Sequence, residues 1–414
     1  MPSDAIVLGA GIVGVSVALH LQARGRSVCL VDRRGPGEET SYGNAGLIER
    51  SSVVPYAFPR DLHVLLGYAA NRRADVRYDP FYLPIVAPWL ARYWWHSAPE
   101  RLAESARALL PLIEASVTEH EPLAAAAGAA SLIRPTGWME LYRTGRAFEQ
   151  AAARARALAG HGLVSDVLGP PGVHEHEPAL SDRIVGAVYW RDPKSVSDPG
   201  TLTRAYAKLF AARGGRIAVG EAASLAQHGA GWSVRTADGM EEAAAAVVAL
   251  GPWSDTVFRP LGYRIPLGIK RGYHMHYAGP AQAPLGRSIV DIAGGYVLAP
   301  MARGIRLTTG IEFAAREAPA NTIQLDRAER LAREIFPLGE RIEPAPWLGR
   351  RPCLPDMRPV IGPAPRHPGL WFAFGHAHHG LTLGPATGRL LAEVMTGETP
   401  FADPSPFGAE RFGR

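Results

Sequence analysis

The chain has 414 residues, of which 47% are hydrophobic and 20% charged, close to globular averages and unlike a disordered chain or a multi-span membrane protein. At roughly 150 residues per domain the length suits two to three domains with a sizeable core. The pI is near 9.3 but the net charge is only +5, and just three of 44 basic residues are lysines (Lys194, Lys208, Lys270), spread without clustering, so a nucleic-acid-binding stripe is not indicated. Cys29 and Cys353 form no CxxC pair and no disulfide framework, which suits a reducing, cytoplasmic setting.

An apolar run over 5–8, a helical stretch over 12–24 closed by Gly25 and a second apolar run over 28–31 predict a β-α-β start. The apolar N-terminus lacks a basic flank and is broken by glycines, which disfavours a signal peptide. After the polar loop at 35–46 comes a mostly helical, aromatic-rich region from about 55 to 130. Within it, 80–91 (PFYLPIVAPWLA) and the following Tyr93-Trp94-Trp95 read as a lid or core segment, with peripheral membrane contact through 78–95 as the alternative. No apolar stretch reaches the ~20 residues that span a bilayer. Strands at 139–142 and 184–190 flank an Ala-rich helix at 147–159, and a helix after Pro199 stops at Gly214-Gly215. Short strands fill 216–251 and about 265–313, a helix lies near 326–336, and a Pro-rich turn at 344–365 leads to a strand over 370–374 and a helix ending at Thr396.

Gly9-x-Gly11-x-x-Gly14 follows a strand, opens a helix and is followed 18 positions later by Asp32 at the next strand's tip. Glycines there permit a tight turn and close approach of a pyrophosphate to free N–H groups and the helix dipole. Asp32 suits an adenosine ribose and repels a 2′-phosphate, so an unphosphorylated dinucleotide is expected despite Arg33 and Arg34. Three remote segments extend the pattern: the 35–46 loop with Thr40, Ser41 and Asn44; the strand end at Gly251-Pro252-Trp253; and GHAHHGLTLGPATG at 375–388. An NAD dehydrogenase needs only the first fingerprint, whereas a flavin protein uses all of them.

With these motifs, TSYGNAG at 40–46 and LGRRPCLPDMRPVIGP at 348–363, the chain resembles the FAD-dependent amine and amino-acid oxidoreductases, which include D-amino-acid oxidases and dehydrogenases and glycine and sarcosine oxidases. The resemblance implies FAD contacts from Gly9, Gly11, Ile12, Val13, Gly14, Asp32, Arg33, Thr40, Ser41, Asn44, Ala45, Gly46, Ala223, Gly251, Trp253, Gly375, Gly380, Leu381 and Thr382. Gly380, Leu381 and Thr382 would offer backbone or hydroxyl donors to the flavin's pyrimidine edge. Arg351 falls on the family's substrate-carboxylate arginine, against the bland reading of one arginine among many, and Tyr296 on its active-site tyrosine, with a buried core tyrosine nearly as good. His378 and His379 lie at the turn expected to touch the flavin. His274 and His276 alternate in KRGYHMHY and share one face, pointing into a cavity or simply marking an edge pattern. A metal reading of the His376–His379 or His174–His176 clusters lacks companion ligands.

Two departures matter. Cys353 sits too close to Pro355-Asp356 to match the cysteine that tethers flavin in sarcosine oxidases, and Arg306 stands near where their oxygen-activating lysine would fall. Non-covalent FAD and an acceptor other than oxygen, such as a quinone, are expected. The expected fold class is α/β, with a Rossmann-like FAD-binding domain (1–50, 199–261, 344–414) and an α+β substrate domain with an antiparallel sheet (51–198, 262–343), discontinuous in chain. The expected reaction is oxidation of the C–N bond of a D-amino acid or D-proline-type secondary amino acid, with Arg351, Tyr296, His379 and His274 as catalytic candidates. An oxygen-using sarcosine/glycine-type oxidase is the nearest alternative. An NAD-dependent dehydrogenase and a histidine-metal hydrolase are the rivals from other classes.

Overall fold

The opening strand, Ser3–Leu8, is buried on both faces: Ala5 and Val7 join one apolar cluster and Ile6 and Leu8 another, as the period-two alternation of a central parallel strand requires. A computed structural model describes residues 3–413. Ser3–Leu8 pairs in parallel with Val28–Asp32 and Gly239–Val248, which pair in turn with Arg216–His228 and Leu370–Phe374. Val360–Pro363 adds an antiparallel edge, and Gly231–Thr236 links Arg216–His228 to Gly239–Val248, completing seven strands.

Helices Ile12–Ala23 and Gly380–Thr396 cover one face of this sheet and pack directly on each other. Their approach needs Gly388, where a Cβ would lie 2.6 Å from the Ser16 carbonyl carbon. The helix Pro199–Ala212 joins the same layer through Leu202, Tyr206 and Phe210. So do Pro99–Glu114 and Ser116–Ala126, through Leu109, Leu112, Ile113 and Ala124, although they lie in the 51–198 stretch expected to form part of the substrate unit.

A second, ten-stranded and mostly antiparallel sheet is built around Gly268–Tyr277, which pairs with Gly304–Thr308 and with Trp347–Cys353. Trp347–Cys353 thus belongs to this sheet although its sequence lies in the stretch expected to bind the nucleotide. The aromatic segment forms the helix Leu83–His96, with Pro84 in its first turn, and buries Val86, Trp89 and Tyr93. Its other side leaves Ile85, Trp94 and Trp95 exposed, with Phe81 beside it. No helix among the described residues is long and apolar enough to cross a membrane.

Candidate active site

A cavity of about 960 Å³ runs from the Gly9–Val13 turn to the second sheet. At its first end Gly9 (φ 107°) leaves no room for a side chain, since a Cβ would lie 2.5 Å from the Ala249 carbonyl oxygen, and a Cβ at Gly14 would collide with the Gly9 carbonyl. Asp32 stiffens the turn by accepting from the Ala10 amide (2.6 Å) and the Arg34 amide (2.9 Å). Burial pushes its pKa up while these two amides oppose the shift. The Ser41 hydroxyl accepts from the Ile12 amide at 2.9 Å, and Arg33 lies over the Trp253 ring at 4.0 Å.

The middle of the cavity is shaped by the 40–46 loop. Thr40 donates to the Arg350 carbonyl (3.0 Å), and Asn44 Oδ1 accepts from the Gly46 amide (2.8 Å). Arg306, buried, donates to the carbonyls of Asn44 (2.6 Å) and Tyr42 (3.2 Å) and through Nε to His276 Nε2 (3.1 Å). Burial lowers its pKa to about 10. The residue standing near the oxygen-activating-lysine position therefore props the loop from behind.

At the far end the helix Gly380–Thr396 points its first residues, Gly380 and Leu381, at the cavity, and neither it nor Ile12–Ala23 has an acid in its first turn. Both N-termini are thus favourable to negative charge. With the glycine turn and Asp32, this donor set fits a dinucleotide whose pyrophosphate lies at the first helix and whose electron-rich ring edge lies at the second.

Beside that helix the second sheet contributes Arg351. Its Nη1 donates to the carbonyls of Gly310 (2.8 Å) and Arg271 (3.4 Å) and its Nη2 to Thr309 (3.0 Å). A guanidinium has five N–H donors, so Nε and the second Nη2 proton remain without an acceptor among the described residues, and no carboxylate pairs with it. Burial pulls its pKa down. Four further polar atoms on cavity-lining residues make no hydrogen bond among the described residues: Asp291 Oδ1, Tyr296 Oη, Thr308 Oγ1 and His378 Nδ1. Burial and the adjacent Asp291 raise the Tyr296 pKa. Burial, then Arg351 and Lys270, hold His378 well below the usual histidine range, so its ring is neutral.

Of the expected site residues, Gly14, Gly46, Gly375, Thr382, His274 and His379 do not line the cavity. The glycines supply room or a left-handed turn, as Gly375 does at φ 88°. The Thr382 hydroxyl is already engaged, donating to the Leu47 carbonyl (3.2 Å) and accepting from the Glu49 amide (3.1 Å). His379 stacks on Tyr56 (6.1 Å) with Nδ1 4.0 Å from Glu49 Oε2. His274 stacks on Trp347 (4.9 Å) behind the wall, and its face-mate His276 bonds Glu343 at 2.6 Å instead of reaching a cavity. His174 bonds Asp182 at 3.0 Å, and no metal-holding group of three ligands occurs among the described residues. Lys270, Tyr56 and Thr308 also line the cavity, although no sequence motif singles them out. Lys270 had one available signal, being one of three lysines and lying in the alternating strand that carries His274.

The family model for the DAO-type FAD dependent oxidoreductases matches residues 4–394. The chain belongs to this family. This oxidoreductase is 32% identical to a D-amino-acid oxidase of Bradyrhizobium diazoefficiens over 98% of both chains. It is 32% identical to a D-amino acid dehydrogenase of Rhizobium johnstonii over 99% of both. Its fold is shared with glycine oxidase from Geobacillus kaustophilus, with a TM-score of 0.75 and 22% identity over 99% of this chain and 98% of that one. The rivals from other classes, a nicotinamide dehydrogenase and a histidine-metal hydrolase, give way to an FAD-dependent enzyme, as the combined glycine motifs led one to expect.

Proposed function

We propose that this flavoprotein oxidises the C–N bond of a D-configured or secondary α-amino acid to the imine, which hydrolyses to a 2-oxo acid where its substitution allows. The observation that carries the reading is the Arg351 guanidinium, lining the cavity with a two-donor edge that no group among the described residues uses. Such an edge matches a carboxylate bidentately. The names of the relatives support the D-configuration.

Arg351 holds the carboxylate and Tyr296 adds a hydroxyl to it, so that one face of the α-carbon is presented. Neutral His378 and Thr308 offer hydrogen-bonding atoms to the amine without adding positive charge that would repel its protonated form. No side chain has to act as general base if the amine enters deprotonated; the work of the residues is positioning. The cofactor is held by Gly9–Val13, Asp32, Arg33, Thr40, Ser41, Asn44, Ala45, Ala223, Gly251, Trp253 and the Gly380–Leu381 turn. Bound FAD supplies the two-electron acceptor for the α-hydride. The stretches 1–50, 199–261 and 344–414 carry most of these contacts, while 51–198 and 262–343 wall the substrate end.

Electrons then leave to a quinone or another non-oxygen carrier. The exposed apolar side chains of Leu62, Leu66, Phe81, Ile85 and Trp95 support a peripheral contact with a membrane surface through the segment around the helix Leu83–His96. Arg351→Ala tests the central role: KM for a D-amino acid rises and kcat/KM falls by about 10² or more, as expected for truncating one partner of a buried charge pair, while FAD content stays that of the wild type. Unaltered kinetics in this variant would remove Arg351 from the site.

A further inference from the structure

Lys270 and Arg351 are direct cross-strand partners on Gly268–Tyr277 and Trp347–Cys353, so their side chains leave the same face of the sheet. Both line the cavity. Lys270 is only 1% exposed, yet no carboxylate pairs with it among the described residues. Its Nζ lies 3.9 Å from the Tyr93 ring and 5.6 Å from the Trp89 ring, and its nearest polar contact is Met357 Sδ at 3.9 Å. Aromatic faces and a thioether offset only part of what burying an ammonium costs, and two cations placed directly opposite each other repel. Their joint field reaches His378, whose ring both cations push toward neutrality. A folded chain keeps such an arrangement where an anion completes it.

We propose that Lys270 is a specificity-determining residue that binds a second anionic group of the substrate, so that the preferred substrates are amino acids with two carboxylates flanking the amine-bearing carbon. This rests on the reading that Arg351 takes the first carboxylate. The second carboxylate sits either on the side chain, as in D-glutamate or D-aspartate, or on the nitrogen substituent, as in iminodiacetate, and the two sources are tested separately.

The FAD-loaded enzyme is assayed with D-glutamate against D-glutamine, D-aspartate against D-asparagine, and iminodiacetate against sarcosine. At least one diacid exceeds its neutral counterpart in kcat/KM by tenfold or more. In Lys270→Met that ratio falls at least tenfold, and Lys270→Arg restores it. As a readout without turnover, glutarate raises the melting temperature of the wild-type protein more than butyrate does, and the difference disappears in Lys270→Met. Equal kcat/KM for diacids and amides in the wild type overturns the proposal, as does a loss in Lys270→Met that is the same for both, or one confined to reoxidation of the enzyme by its acceptor. If neutral D-amino acids reduce the enzyme but diacids show no preference, only this inference fails. If no amino acid reduces it, the parent reading fails, and the melting comparison still decides whether the cation pair binds a dianion.

Discussion

Gly272 has no side chain where Arg351 needs space: a Cβ there would lie 2.5 Å from Arg351 Nη1. Gly272→Ala therefore displaces the guanidinium without touching the cofactor turn, and we expect a KM rise of roughly tenfold, equivalent to ~1.4 kcal/mol of lost carboxylate binding, at unchanged FAD content. Steady-state kinetics together with the flavin-to-protein absorbance ratio check both halves. Arg351→Lys keeps the charge and loses the planar fork, so its loss should fall between those of Gly272→Ala and Arg351→Ala. At this scale the sequence was legible where a residue sat inside a motif, as Arg351 and Tyr296 did. It was not legible for Lys270 and Thr308, which reach the cavity only because Gly268–Tyr277 pairs with Trp347–Cys353 and Gly304–Thr308 with Tyr296–Met301. The histidines show the converse. His274 and His276 do share a face, but Trp347 and Glu343 hold them away from the cavity.

The opening strand, turn and helix form one device, and its weak point is Gly14, where any side chain meets the Gly9 carbonyl. Gly14→Val should give protein that retains little FAD and melts well below the wild type, measured by flavin absorbance after gel filtration and by thermal unfolding. Elements such as this one were readable because their signals are local: the glycine spacing, and the Pro199 start and Gly214-Gly215 stop of Pro199–Ala212, with Gly214 at φ 87°. The placement of Pro99–Glu114 was not readable, because its amphipathic pattern states that one face is buried and not against which partner. That partner proved to be the helix layer on the parallel sheet.

Across the whole molecule, buried neutral histidines tie stability to pH. His120, held between the Leu381 carbonyl (2.7 Å) and the Tyr206 hydroxyl (3.0 Å), is lowered by burial to about 4, and His376, beside Thr387 at 3.0 Å, to about 3. Unfolded histidines take up protons near pH 6.5, so below that value the unfolded state binds more protons than the native one and stability falls as pH falls. Between pH 6.5 and about 4 each such group removes up to about 3 kcal/mol. Calorimetric unfolding at stepped pH should show this decline, and His120→Gln should flatten it. Two sheets assembled from interleaved stretches of chain bring His376, the two helix N-termini and Arg351 around one cavity, an arrangement visible in the sequence as motifs at both ends and the middle but not as a three-dimensional neighbourhood. The most direct test of the account is anaerobic titration of the purified, FAD-loaded protein with D-amino acids and their L-enantiomers, following the flavin's visible absorbance. The account predicts stoichiometric bleaching by at least one D-amino acid and much slower bleaching by its mirror image. A protein that takes up no flavin, or a flavin that no amino acid of either hand reduces, would contradict it.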